Sequence, residues 1–226
     1  MANTLASPTL GFQEFGRVEG ASPTAGMTPA WIASTDASTI FRGDPICTSS
    51  GGGTNNSGNY ITSAASGIGG TGSFVRGIFQ GMEQFNPTVG RVIWTNFYNG
   101  SITGSTGDIK CWIIDDPDRL FLIQGSTSAA FTSSFVGLNA GFVTSSAAVG
   151  NTTLGYSNVQ LASSTVGSTS TLPFRIVDFY SAYAPPAVPA VGTAAFINGT
   201  DNTTPANMVL VRLNACDRTS LTARSS

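Results

Sequence analysis

The sequence predicts an all-β protein, a single antiparallel barrel or sandwich with one short helix and an extended N-terminal arm, and three observations predict it. Helix-forming charged residues are scarce: the only lysine is Lys110 and the only glutamates are Glu14, Glu19 and Glu83, so long helices have nothing to present to water. Hydrophobic residues reach 41%, with 14 Phe and many Val, Ile and Thr, a set suited to pleated, half-buried surfaces. Glycine contributes 27 residues, and with serine and threonine about a third of the chain, so short strands alternate with frequent turns. At 226 residues the chain is long enough for one sizeable core without staples.

Residues 1–29 are broken by Pro8, Pro23 and Pro29, with only Gly11 to Val18 able to pair as a strand, and are expected to form the extended arm. Residues 30–226 form the β-rich domain. Strands are expected at Ala30–Ala33, Ile40–Cys47, Tyr60–Ser63, Phe74–Phe85, Arg91–Phe97, Ile109–Asp115, Leu120–Gln124, Ser157–Leu161, Phe174–Tyr180, Ala194–Ile197 and Met208–Asn214. Within Phe74–Phe85, strict alternation puts Val75, Phe79 and Glu83 on one face and Phe74, Ile78 and Met82 on the other. Gly77 and Gly81 interrupt it. Phe131, Phe135 and Leu138 stand at i, i+4 and i+7, the spacing of a helix of about two turns. Loops are expected at Ser49–Gly58 and, as an exposed insertion, at 184–205.

Composition closes several functional classes. Without histidine there is no Ser-His-Asp triad, Cys-His dyad or His-ligated zinc. Cys47, Cys111 and Cys216 are odd in number and far apart, which fits small buried apolar residues better than a disulfide framework or metal site. A net charge of −2 with singly dispersed arginines gives no basic stripe for nucleic acid. No charged n-region opens the sequence and no apolar run approaches a membrane span, so the chain is expected in a cytosol-like compartment with no membrane partner. A hydrolase or lyase would need a carboxylate pair from Asp36, Asp44, Glu83, Asp115 and Asp178, and their spacing nominates none.

Three motifs carry both a chemical and a plain reading. The glycines Gly67, Gly69 and Gly72 spell a phosphate-binding loop, but the residues after them read as a strand where a helix is needed. Arg42-Gly43-Asp44 spells a receptor-binding tripeptide, yet Ile40-Phe41 before it and Pro45-Ile46 after it favour a tight turn. Asp115, Asp116 and Asp118 around Pro117 have the oxygens for a hard cation such as calcium. Their simpler reading is a turn joining Ile109–Ile114 to Leu120–Ile123 as a hairpin.

The order of the pieces is more specific than any one of them. Phe41 to Pro45, Gly77 to Gly81 and Cys111 to Gln124 are followed by Val136–Ala140, Gly155–Ser157, Leu172–Val177 and Val209–Asn214. This collinear series resembles the capsid decoration (cement) proteins of tailed bacteriophages, over about Phe12 to Asn214. The resemblance implies a non-enzymatic virion protein without cofactor or metal. It would be assembled in the host cytoplasm and would bind the outer surface of an expanded icosahedral shell. Its partners would be the major capsid protein and itself, as a trimer first and a dimer second. Phe12, Phe15 and Arg17 of the arm are then the expected contacts, with the phenylalanines as anchors in a strand added to a neighbour's sheet. The alternative is a receptor- or glycan-binding head spike or fibre module. That reading needs exposed aromatic side chains, whereas Trp31, Trp94 and Trp112 lie in or beside expected strands and read as core.

Overall fold

The structure, a computed structural model, describes residues 11–18, 26–49, 59–64, 74–100, 107–144, 150–180 and 205–216. The described residues form sixteen strands: β1 Gln13–Arg17, β2 Thr28–Ile32, β3 Ile40–Phe41, β4 Pro45–Thr48, β5 Ile61–Ser63, β6 Val75–Asn86, β7 Arg91–Thr95 and β8 Phe97–Tyr98 come first. They are followed by β9 Ile109–Ile114, β10 Arg119–Gln124, β11 Asn139–Thr144, β12 Gly150–Asn151, β13 Tyr156–Ser157, β14 Val159–Gly167, β15 Phe174–Phe179 and β16 Met208–Leu213. The all-β expectation holds, as a sandwich of antiparallel sheets.

The first sheet runs β1-β10-β16-β15-β11-β14 and the second β2-β9-β6-β4-β5, with β7 paired to the far end of β6. Between them lies a core in which Phe121, Phe142, Phe174, Ile176 and Val211 of the first sheet meet Val75, Ile78 and Ile114 of the second. The opposite face of the second sheet has its own core, including Ile32, Ile46, Ile61, Phe79, Met82, Cys111 and Ile113, capped by Ile40 and Tyr98 of the β3–β8 ribbon. That sheet curls until Tyr60 bridges Trp31, but one bridge is not a ladder, and among the described residues no barrel closes.

Four expectations are corrected. The arm is not free where it is described: β1 pairs along β10 from Gln13↔Leu122 to Arg17↔Arg119, and β2 crosses the expected 29/30 boundary to pair with β9. The alternation in β6 is broken by bulges at Arg76 and Gln80, each an extra residue opposite β4 and β9. Val75 and Ile78 consequently share one core while Phe79 and Met82 share the other. The expected two-turn helix is a single 3₁₀ turn, Ser133–Phe135, with no side-chain cap. Phe131 is fully buried, but Gly137, at φ +86°, turns the chain into β11 before a second turn forms. The acidic turn, finally, is no hairpin: β9 belongs to the second sheet and β10 to the first, so residues 115–118 are the corner between them. The glycine-rich loop at 67–72, the loop at 50–58, the strand expected at Ala194–Ile197 and nearly all of 184–205 lie outside the described residues.

Candidate functional site

The acidic corner is held by arginines. Asp116 meets Arg17 at 3.4 Å and Arg119 at 3.5 Å, Arg119 also pairs with Glu14, and Asp118 lies 4.0 Å from Arg212. Asp115 is buried and accepts from the Thr28 hydroxyl at 2.7 Å. With these carboxylates committed to guanidinium and hydroxyl groups, the calcium reading loses its ligands. Among the described residues no group of three or more Cys, Asp or Glu is placed to hold a metal ion.

The Arg42-Gly43-Asp44 turn is also structural. The Asp44 amide bonds to the Phe41 carbonyl at 2.9 Å, Gly43 takes φ +91°, and the Asp44 carboxylate accepts from the Phe41 amide at 2.7 Å. Asp44 is only 2% exposed, so no receptor can read it. Burial pushes its pKa up to about 7, against the smaller opposing effects of the Ser157 hydroxyl and the Phe41 amide.

The three expected contact residues separate. Phe12 is not available to a neighbour: it is buried in the chain's own core, stacked on Phe174 at 4.2 Å and edge-on to Phe121. A benzyl side chain gains roughly 2–3 kcal/mol by such burial, more than an exposed arm would retain. Phe15 does face water, 44% exposed, with its ring edge-on to Tyr180; the bulge between Glu14 and Gly16 turns it outward. Arg17 is half-exposed but spends its charge on Asp116.

More of the exposed large apolar side chains lie elsewhere, on β6, β7 and the turn between them: Phe85, Val89, Val92 and Trp94. Cross-strand register puts Trp31 opposite Lys110, Pro29 and Gly81 beside Trp112, Trp94 opposite Glu83, and Val92 opposite Phe85. All three tryptophans therefore project from one face, contrary to the expectation of core packing. Trp94 is 46% exposed, and Trp31 and Trp112 are half-buried. Their polar handles are fixed: Trp94 Nε1 donates to Asn96 Oδ1 and Trp112 Nε1 to Glu83 Oε1, each at 3.3 Å. The Lys110 ammonium sits 4.6 Å from the Trp112 ring centre and 3.9 Å from Glu83. Gly81 makes the seat for Trp94, because a Cβ there would overlap the indole.

Beyond this row, β6 and β7 continue past the last β9 partner as a two-stranded hairpin. Phe85 and Val92 face each other across it at 53% and 61% exposure, and Val89 at the tip is 55% exposed. The turn is fixed by Asn86, whose side chain accepts from the Thr88 and Val89 amides and whose carbonyl accepts from Gly90. Sequence reasoning saw these strands but not their exposure, since apolar residues on both faces of Phe74–Phe85 read as a central strand and alternation does not show where its partners end. No family model, curated protein or solved structure matches the chain.

Proposed function

We propose that the chain is a structural protein that binds the outer surface of a tailed-bacteriophage capsid and stabilises the expanded shell. The observation that carries this reading is the β6–β7 hairpin, which holds Phe85, Val89 and Val92 in water on a fixed turn. Exposed apolar side chains gathered on one projection mark a protein contact, and a rigid projection loses little entropy on docking. The resemblance of the sequence-block order to decoration proteins suggests the kind of partner, the major capsid protein. Many copies on a repeating lattice each add binding energy to the assembled state alone, so modest contacts stabilise a shell. Phe15, exposed on edge strand β1, offers a second contact, and two contacts on one body reinforce each other. Self-association as a trimer suits the threefold positions of a shell, with a dimer second.

Co-sedimentation of the purified chain with expanded and unexpanded shells tests the proposal. Stoichiometric binding to expanded shells is expected, weakened at least tenfold by the double substitution Phe85→Ser and Val92→Ser. Failure to bind either shell, or undiminished binding by the variant, overturns it.

A further inference from the structure

The tryptophan row does not share the chemistry of the hairpin tip. Across four strands it reads Trp31, Lys110, Glu83, Trp94, with Trp112 one step along β9, and the outer indoles stand three strand spacings apart, roughly 14 Å. The indole N–H groups of Trp94 and Trp112 are engaged by Asn96 and Glu83, which orients the rings; Lys110 already lies over the Trp112 ring, so Trp94 is the indole that offers ring surface to a ligand. Between the rings lies one cation and one anion, their side chains 38% and 39% exposed and 3.9 Å apart. Both have hydrogen-bonding capacity beyond the pair itself.

From this we infer that the face is a binding site for an uncharged oligosaccharide. A sugar ring presents C–H groups to an indole and hydroxyls at its edge, so it can stack on Trp94, the exposed indole, while its hydroxyls bond Glu83 and Lys110 beside it. Charge selects the class. The Lys110–Glu83 pair is balanced, with no surplus cation for a phosphate, sulfate or carboxylate, and a neutral polyhydroxyl ligand leaves the pair intact. A protein surface closing over the row would strip water from both charges without matching their hydrogen bonds, a costly exchange. The span of the row fits a chain of several sugars rather than one. This inference is independent of attachment to a shell: the row and the tip have no side chain in common, and the two activities are measured separately.

The test is titration of the full chain with neutral hexasaccharides of glucose, mannose, galactose and N-acetylglucosamine, beside a sialylated oligosaccharide, read by tryptophan fluorescence and calorimetry. At least one neutral hexasaccharide is expected to give a saturable change, with the acidic sugar at least tenfold weaker. Trp94→Ala should weaken binding at least tenfold, Glu83→Gln severalfold, and Phe85→Ala less than twofold. Trp94 is exposed, so its variant should melt with the parent; if it does not, the Glu83→Gln and Phe85→Ala pair decides. No saturable binding by any neutral hexasaccharide, an acidic sugar bound as tightly, or unchanged binding in Trp94→Ala and Glu83→Gln overturns the inference. So does loss of shell binding in Trp94→Ala when no sugar binds, which would make the row a protein contact.

Discussion

Asp44 places a carboxyl where three distant segments meet. Its side chain caps the Phe41 amide, its backbone accepts from Phe79, and the neighbouring Gly43 carbonyl accepts from Phe12. In the unfolded chain the group ionises near 3.8; in the fold it does so at about 7. Below pH 3.8 both states hold the proton and the group costs nothing. Between 3.8 and 7 the unfolded state alone ionises, so stability falls as pH rises, and above 7 the loss is constant at about 4 kcal/mol. Asp44→Asn keeps an acceptor for Phe41 without the charge. Urea midpoints from pH 5 to 8 should fall for the parent and fall less for the variant, leaving the variant more stable at pH 8; parallel slopes would refute this account. The turn itself was legible in Gly43 and Asp44, but the burial was not, because it depends on β3 and β13 meeting across more than a hundred residues. Gly81 is a second case. Its glycine signals a break in a strand, yet only the fold shows that the break seats Trp94. Gly81→Ala should displace the indole, costing about 1–3 kcal/mol and red-shifting tryptophan emission; an unshifted spectrum at parental stability would show the seat to be dispensable.

At the scale of elements, β1 is the instructive strand. The sequence allowed Gly11 to Val18 to pair but could not say with what, and period-2 spacing is the same whether a strand joins its own sheet or a neighbour's. The deciding residue is Arg119, whose side chain is 3% exposed and reaches both Glu14 on β1 and Asp116 at the corner. Arg119→Met removes that tie and leaves Glu14 without the cation it pairs with, while Asp116 keeps Arg17, so a loss of about 3 kcal/mol is expected. It should appear in hydrogen exchange as early opening of β1 relative to β16; uniform exchange across the first sheet would mean the ion pairs do not hold the strand. The same ambiguity explains the misplaced acidic turn. Alternation in Ile109–Ile114 and Leu120–Gln124 is identical for a hairpin and for a corner between sheets, and only the committed arginines distinguish them. In β6, two bulges each shift the pleat by one residue, which no alternation rule recovers from Arg76 and Gln80 alone.

For the molecule as a whole, the question is whether two sheets with two cores behave as one unit. The fold class was legible because composition is a property of the entire chain; the location of the exposed aromatic face was not, because it depends on where one sheet stops covering the other. The core between the sheets draws Val75, Ile78 and Ile114 from the second sheet into contact with the first, so the first sheet and one face of the second bury their apolar side chains together. That predicts a single cooperative transition. The tryptophans make it testable, since Trp31, Trp94 and Trp112 all lie in the second sheet and fluorescence reports that sheet. Leu161, fully buried in β14 of the first sheet, is remote from them in the strand order. Leu161→Ala should cost about 2–5 kcal/mol, and the loss should lower the midpoint seen by tryptophan fluorescence as much as that seen by far-UV circular dichroism. If the sheets unfolded independently, the fluorescence midpoint would stay at its parental value while the dichroism curve split in two. For the proposed role on a shell, a shared transition matters because strain applied at the β6–β7 tip would be resisted by the stability of both sheets together.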